Sequence, residues 1–135
     1  MAEADMGKYG IAAVNAVRAY TSGRARNATD AWDLAVRSVF PNSPSSQEKG
    51  CPKGTFLGIC GSGKVTGVPG GEYTRSQKNK LYGLKALDIL RQSPSLADDE
   101  LELWKRVMAG ESKVHNSQMD VIVSLWKAGF LNSKS

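Results

Sequence analysis

The stretch Tyr73-Thr74-Arg75-Ser76-Gln77-Lys78-Asn79-Lys80 gathers the side chains with most to offer a ligand. Arginine and lysine neutralise phosphates, and glutamine and asparagine carry the paired donor and acceptor that read base edges. At helical spacing Arg75, Lys78 and Asn79 fall at i, i+3 and i+4 and share one face. The glycines upstream leave backbone N–H groups open to anions, and Lys64 follows Gly63 there. Gly63, Lys64, Arg75, Gln77, Lys78 and Asn79 are therefore the candidate nucleic-acid or anion-binding residues. The plain alternative is a solvated helix start. Thirteen residues (61–73) separate this helix from the short one before it. A helix-turn-helix has a turn of three or four residues, so any DNA-reading unit here is atypical.

A second polar cluster is His115-Asn116-Ser117-Gln118-Met119-Asp120. His115, Asn116 and Gln118 could present an imidazole and two amides to a protein partner. The alternative is local: Asn116 or Ser117 caps a helix, Asp120 complements that helix's dipole, and His115 covers a neighbouring loop. Cys51, beside Pro52 at a helix start, could be an activated thiol if His115 lay near it.

Other motifs carry less. Gly58-Ile59-Cys60-Gly61-Ser62-Gly63-Lys64-Val65 satisfies most of a phosphate-binding P-loop, but Val65 stands where the magnesium-binding hydroxyl belongs. The glycines and proline that follow cannot form the helix that loop requires. Cys51 and Cys60 match no zinc spacing, and with one histidine in the chain no metal site or cofactor is expected. The reduced thiols fit a cytoplasmic protein, with Cys60 a core residue. Asn27-Ala28-Thr29 fits a glycosylation sequon, but nothing indicates secretion. No carboxylate pair has spacing that asks for acid–base work.

The net charge is +5, from 18 basic and 13 acidic residues, and most of the excess lies in the middle. Residues 51–80 carry five bases (Lys53, Lys64, Arg75, Lys78, Lys80) against Glu72 alone, hence +4. Such a segment attracts polyanions by long-range steering. With 135 residues, 41% of them hydrophobic, the chain is one domain's worth and can bury a core. No apolar run approaches the roughly 18 to 20 residues of a membrane span, and the acidic opening Met1-Ala2-Glu3-Ala4-Asp5 is no signal peptide.

The elements that must position these groups are helical. Apolar residues recur near every 3.6 positions outside the middle, predicting helices over 7–20, 30–40, 75–91, 96–108 and 118–128. A shorter helix is predicted over 52–60, with Phe56, Leu57 and Cys60 as its apolar face and Gly61 as its left-handed exit. Asn27 or Thr29, the pair Thr74 with Gln77, and Ser95 are the expected caps, and Ser45 with Glu48 could open a short turn. Trp32, Trp104 and Trp126 each lie on an apolar stripe and read as core. The loops 41–51 and 61–73 are long. The second holds five glycines and Pro69 and reads as the flexible heart of the chain, with a brief extended piece at Lys64–Val68.

Four strings together carry a resemblance: Met6-Gly7-Lys8-Tyr9-Gly10, Cys51-Pro52-Lys53-Gly54-Thr55-Phe56-Leu57-Gly58, Tyr73 to Lys80, and His115 to Asp120. The chain resembles a family of small bacterial proteins of about this length. That resemblance implies a single compact domain in a bacterial cytosol and brings no activity with it. The expectation is an all-α domain of five or six helices around a glycine-rich loop, spanning 6–131, with 1–5 an extension and 132–135 a tail. The leading functional reading is a binding module for nucleic acid or another polyanion. A protein-interaction module is the alternative, and an enzyme using Cys51 or His115 stands third.

Overall fold

The computed structural model describes residues 7–111, 113, 115 and 117–131. Seven α-helices follow in order among them: α1 (Lys8–Thr21), α2 (Ala28–Val39), α3 (Pro44–Gln47), α4 (Gly50–Gly61), α5 (Gln77–Gln92), α6 (Glu100–Met108) and α7 (Gln118–Lys127). α3 is a single turn, and a 3-10 turn over Pro94–Asp98 joins α5 to α6. The only β pairing among the described residues is an isolated antiparallel bridge, Val65 with Leu131.

The helices close one hydrophobic core with α7 at its centre. Every residue of α7 from Gln118 to Leu125 is buried, as a helix enclosed on all sides requires. α1, α4, α5 and α6 all pack on it, and α2 covers α1. α4 is also buried on most of its circumference, from Gly54 to Cys60, beyond the single apolar face that its sequence suggested. Its glycines explain this. A Cβ at Gly58 would stand 2.6 Å from the Cα of Lys80, and one at Gly54 3.0 Å from the Cβ of Ser76. Without side chains at these two positions, α4 lies directly against the start of α5. Trp32 and Phe56 stack with centroids 5.1 Å apart where α2 meets α4. Trp32 and Trp104 are buried, whereas Trp126 is half-buried against the core.

Helix ends depart from the sequence reading in instructive ways. Asn27 caps α2, accepting the Asp30 N–H at 2.8 Å. Ser43, not Ser45, caps α3. Pro94 opens the 3-10 turn, so Ser95 caps nothing, and Asp99 caps α6 instead by accepting the Glu102 N–H. α5 starts at Gln77 rather than 75: Thr74 Oγ1 accepts the Ser76 N–H in a local turn and no capping box forms. The left-handed exit of α4 is Gly63 (φ 73°), two residues beyond Gly61.

The segment between α4 and α5 is tied down. Val65 and Val68 are buried, the Thr66 N–H donates to the Phe130 carbonyl at 2.8 Å, and the Gly71 N–H donates to the Gly61 carbonyl at 3.0 Å. A Cβ at Gly61 would stand 2.4 Å from the carbonyl oxygen of Gly71, so glycine is required for the closure. Gly58 sits inside α4 with no strand before it, and no helix starts at Lys64, the next being α5 at Gln77, which removes the P-loop geometry.

Candidate anion-binding cleft

The start of α5 forms one wall of a cleft of about 570 Å³. Arg75, Gln77, Lys78 and Asn79 line it, joined by Cys51 from α4, Tyr82 from the next turn of α5, Trp104 from α6, and Lys113 and Gln118 from beyond α6. No carboxylate is among the described residues that line it. Arg75 and Lys78 make no ion pair with a carboxylate among the described residues, whereas Lys113 hydrogen-bonds to Tyr82 and is attracted by Glu111 two residues before it. Three cations thus converge on one concavity, where low-dielectric walls focus their field.

Trp104 sets the geometry of the far wall. Its indole N–H donates to the Lys113 carbonyl at 3.1 Å, pinning the segment after α6 to that helix. Its ring meets Tyr82 edge-on, centroids 5.4 Å apart at 80°, and His115 at 5.0 Å. The Lys113 ammonium lies over the Tyr82 ring, 6.0 Å from its centroid. A buried aromatic hub therefore carries a surface cation to the cleft beside Lys78.

The amides divide by role. Asn79 Nδ2 donates to Ser76 Oγ at 2.8 Å, and Asn79 Oδ1 accepts from Gln118 Nε2 at 3.3 Å. Gln118 is only 3% exposed and Asn79 is half-buried, so this pair is a partly buried strut between α5 and α7. Gln77 is exposed at the rim and can meet a ligand. Because α5 begins at Gln77, Arg75 is not on a helical face with Lys78 and Asn79; it reaches the cleft from the preceding turn.

Two other proposed contacts lie elsewhere. Gly63 is at the exit of α4 and Lys64 is half-buried beside it, and neither lines the cleft. Asn116 lies outside the described residues. His115 has a structural position: its Nε2 accepts the Met119 N–H at 2.9 Å and so caps α7. Ser117, in the left-handed region (φ 68°), makes no side-chain cap. Burial holds the His115 imidazole below its ordinary pKa; Asp120 pulls it up and Lys49 pushes it further down. The acceptor role requires a neutral ring with its proton on Nδ1. Cys51 lines the cleft half-buried, and no hydrogen bond joins its thiol to His115. Burial raises the Cys60 thiol far above its ordinary value, as befits a core residue.

Asp120 stands in the first turn of α7, where it complements that helix's dipole as expected, and it serves a second helix as well. Its carboxylate accepts the Gly7 N–H at 2.9 Å and the Gly10 N–H at 2.7 Å, capping α1. α1 has glycine at its N-cap and no acid in its first turn, so the cap arrives from across the fold.

Sequence reading missed Cys51 as a wall of this cleft, and also Tyr82, Trp104 and Lys113. Tyr82 follows Lys78 by four residues on α5, a spacing that does place the two together. Nothing local marks Lys113, whose position depends on the Trp104 tether.

No group of three or more His, Cys, Asp or Glu side chains able to hold a metal ion occurs among the described residues. No helix there is long and apolar enough to cross a membrane. Fold and cleft together define a small all-helical domain with a cationic concavity. The chain belongs to a family of unknown function, DUF6979, whose model matches residues 6–132. No curated protein and no solved structure matches it.

Proposed function

We propose that this domain binds nucleic acid through the cleft at the start of α5, without chemistry of its own. The observation that carries the reading is the convergence of Arg75, Lys78 and Lys113 on one concavity with no described carboxylate in its lining. Clefts of 300–1,000 Å³ are roughly ligand-sized, and one lined by cations and amides selects an anion with hydrogen-bonding edges. Arg75, Lys78 and Lys113 neutralise phosphates, and Gln77 contacts a base edge. Asn79 and Gln118 hold the wall in place.

The test is fluorescence anisotropy with short labelled DNA and RNA at low salt. Wild-type protein binds, and an Arg75→Ala, Lys78→Ala double variant binds about tenfold more weakly or worse. Equal affinity of the two proteins would sink the assignment. Binding of a protein that survives nuclease treatment, with no affinity for either nucleic acid, would favour an interaction module instead.

A further inference from the structure

The cleft does not end at its own rim. Arg75 and Gln77 also line a second concavity of about 570 Å³, which runs over α4 to Gly61, Gly71, Tyr73 and Lys80. At the opposite end, Trp104 and Lys113 also line a third, of about 300 Å³, with Lys105 and Gly110. Shared walls set these three side by side, and together they are called the furrow. Along it lie Lys105, Lys113, Lys78, Arg75 and Lys80, against Glu111 in the third concavity and Glu72 in the second.

We infer that the furrow holds an extended single strand of DNA or RNA, running from Lys105 past the start of α5 to Lys80, and that duplex is excluded from it. This rests on the nucleic-acid reading above. Three arguments support it. Cations spaced along a trough follow a linear polyanion, and a mononucleotide would use only one concavity. Reading a duplex requires a helix that projects, because the major groove, about 12 Å wide, must accept a cylinder of about 10–12 Å. Here the residues of the first turn of α5 are spent on the walls of two concavities, with Gln77 and Lys78 exposed at the rim and Asn79 bonded to Gln118 behind them, and they form no continuous projecting ridge of base-reading side chains. Finally, Tyr73 supplies a half-buried ring in the second concavity, fixed by its hydroxyl donating to the Pro69 carbonyl at 2.7 Å, on which a base can stack.

The test compares a labelled 12-nucleotide single strand with its duplex, using wild-type protein and the furrow-end variants Lys80→Glu and Lys105→Glu. Lys105 is exposed on α6 and Lys80 is half-buried on α5 beside Gly58, and circular dichroism confirms that each variant folds. The expected result is single-strand affinity at least tenfold above duplex, with each end variant weakening the single strand by about three- to tenfold. Equal or tighter duplex binding, or end variants that bind the 12-mer as wild type does, would overturn the furrow while leaving the nucleic-acid reading standing. Failure of every protein to bind either form would overturn both.

Discussion

At the scale of single residues, Asp120 and His115 do the same kind of work at two helix ends. Each satisfies backbone N–H groups that the helix itself leaves unpaired. Asp120 does so across the fold, and the space it needs comes from glycine. A Cβ at Gly10 would stand 2.0 Å from Ser124 Oγ and 2.6 Å from Asp120 Oδ1. Gly10→Ala is therefore expected to cost about 2–4 kcal/mol in urea unfolding, from overpacking and a lost charged hydrogen bond. Gly50→Ala is the control. Nothing lies within 4 Å of that position, and alanine there should stabilise α4 by about 0.5–1 kcal/mol. His115 adds a pH dependence. Its pKa is lowered in the fold, so the unfolded chain binds the proton more readily. The stability it contributes is complete above about 6.5, the unfolded value, and is lost as pH falls below that. Glu100 has the opposite sign: burial and Asp120 raise its pKa, so the fold gains from it as pH falls toward the ordinary carboxylate range. His115→Gln keeps an acceptor without a titrating ring. The wild-type urea midpoint should drop between pH 7 and 5.5 by more than that of His115→Gln, and parallel profiles would remove the cap from the explanation.

At the scale of elements, periodicity located the long helices because each buries a stripe, and stripes are visible at 3.6 spacing. It understated α4, whose burial comes from glycines that carry no hydrophobic signal. It misplaced the starts of α5 and α6, because Thr74 and Ser95 have the right chemistry for caps but a turn and Pro94 occupy the chain there. Part of the cleft was legible in the run Arg75 to Asn79. The opposite wall was not, since Lys113 and Trp104 reach it only through tertiary contacts. Under the proposed function the α4–α5 contact matters for binding, because it places Lys80 and the first turn of α5. Gly58→Ala would push a methyl group against the Lys80 backbone. It should cost about 1–3 kcal/mol and also weaken oligonucleotide binding at concentrations where the protein is still folded. Unchanged affinity in a folded Gly58→Ala protein would mean that the cleft tolerates a displaced α5.

At the scale of the whole molecule, net charge is a poor guide until its placement is known. Of the five bases in residues 51–80, Lys53 pairs with Asp33 at 3.3 Å and Lys64 lies away from the cleft. The cationic face instead combines Arg75, Lys78 and Lys80 with Lys105 and Lys113 from the last third of the chain. Such a face predicts an affinity governed by counterion release. The most direct measurement is the salt dependence of single-strand binding, for wild-type protein and for Arg75→Ala, Lys78→Ala. The expected result is a linear fall of log affinity against log salt with a slope of about −3 to −4, reduced by about 1.4 in the double variant, at about 0.7 per phosphate contact. A slope near zero, or the same slope in both proteins, would contradict the assignment of this cleft to a nucleic-acid backbone.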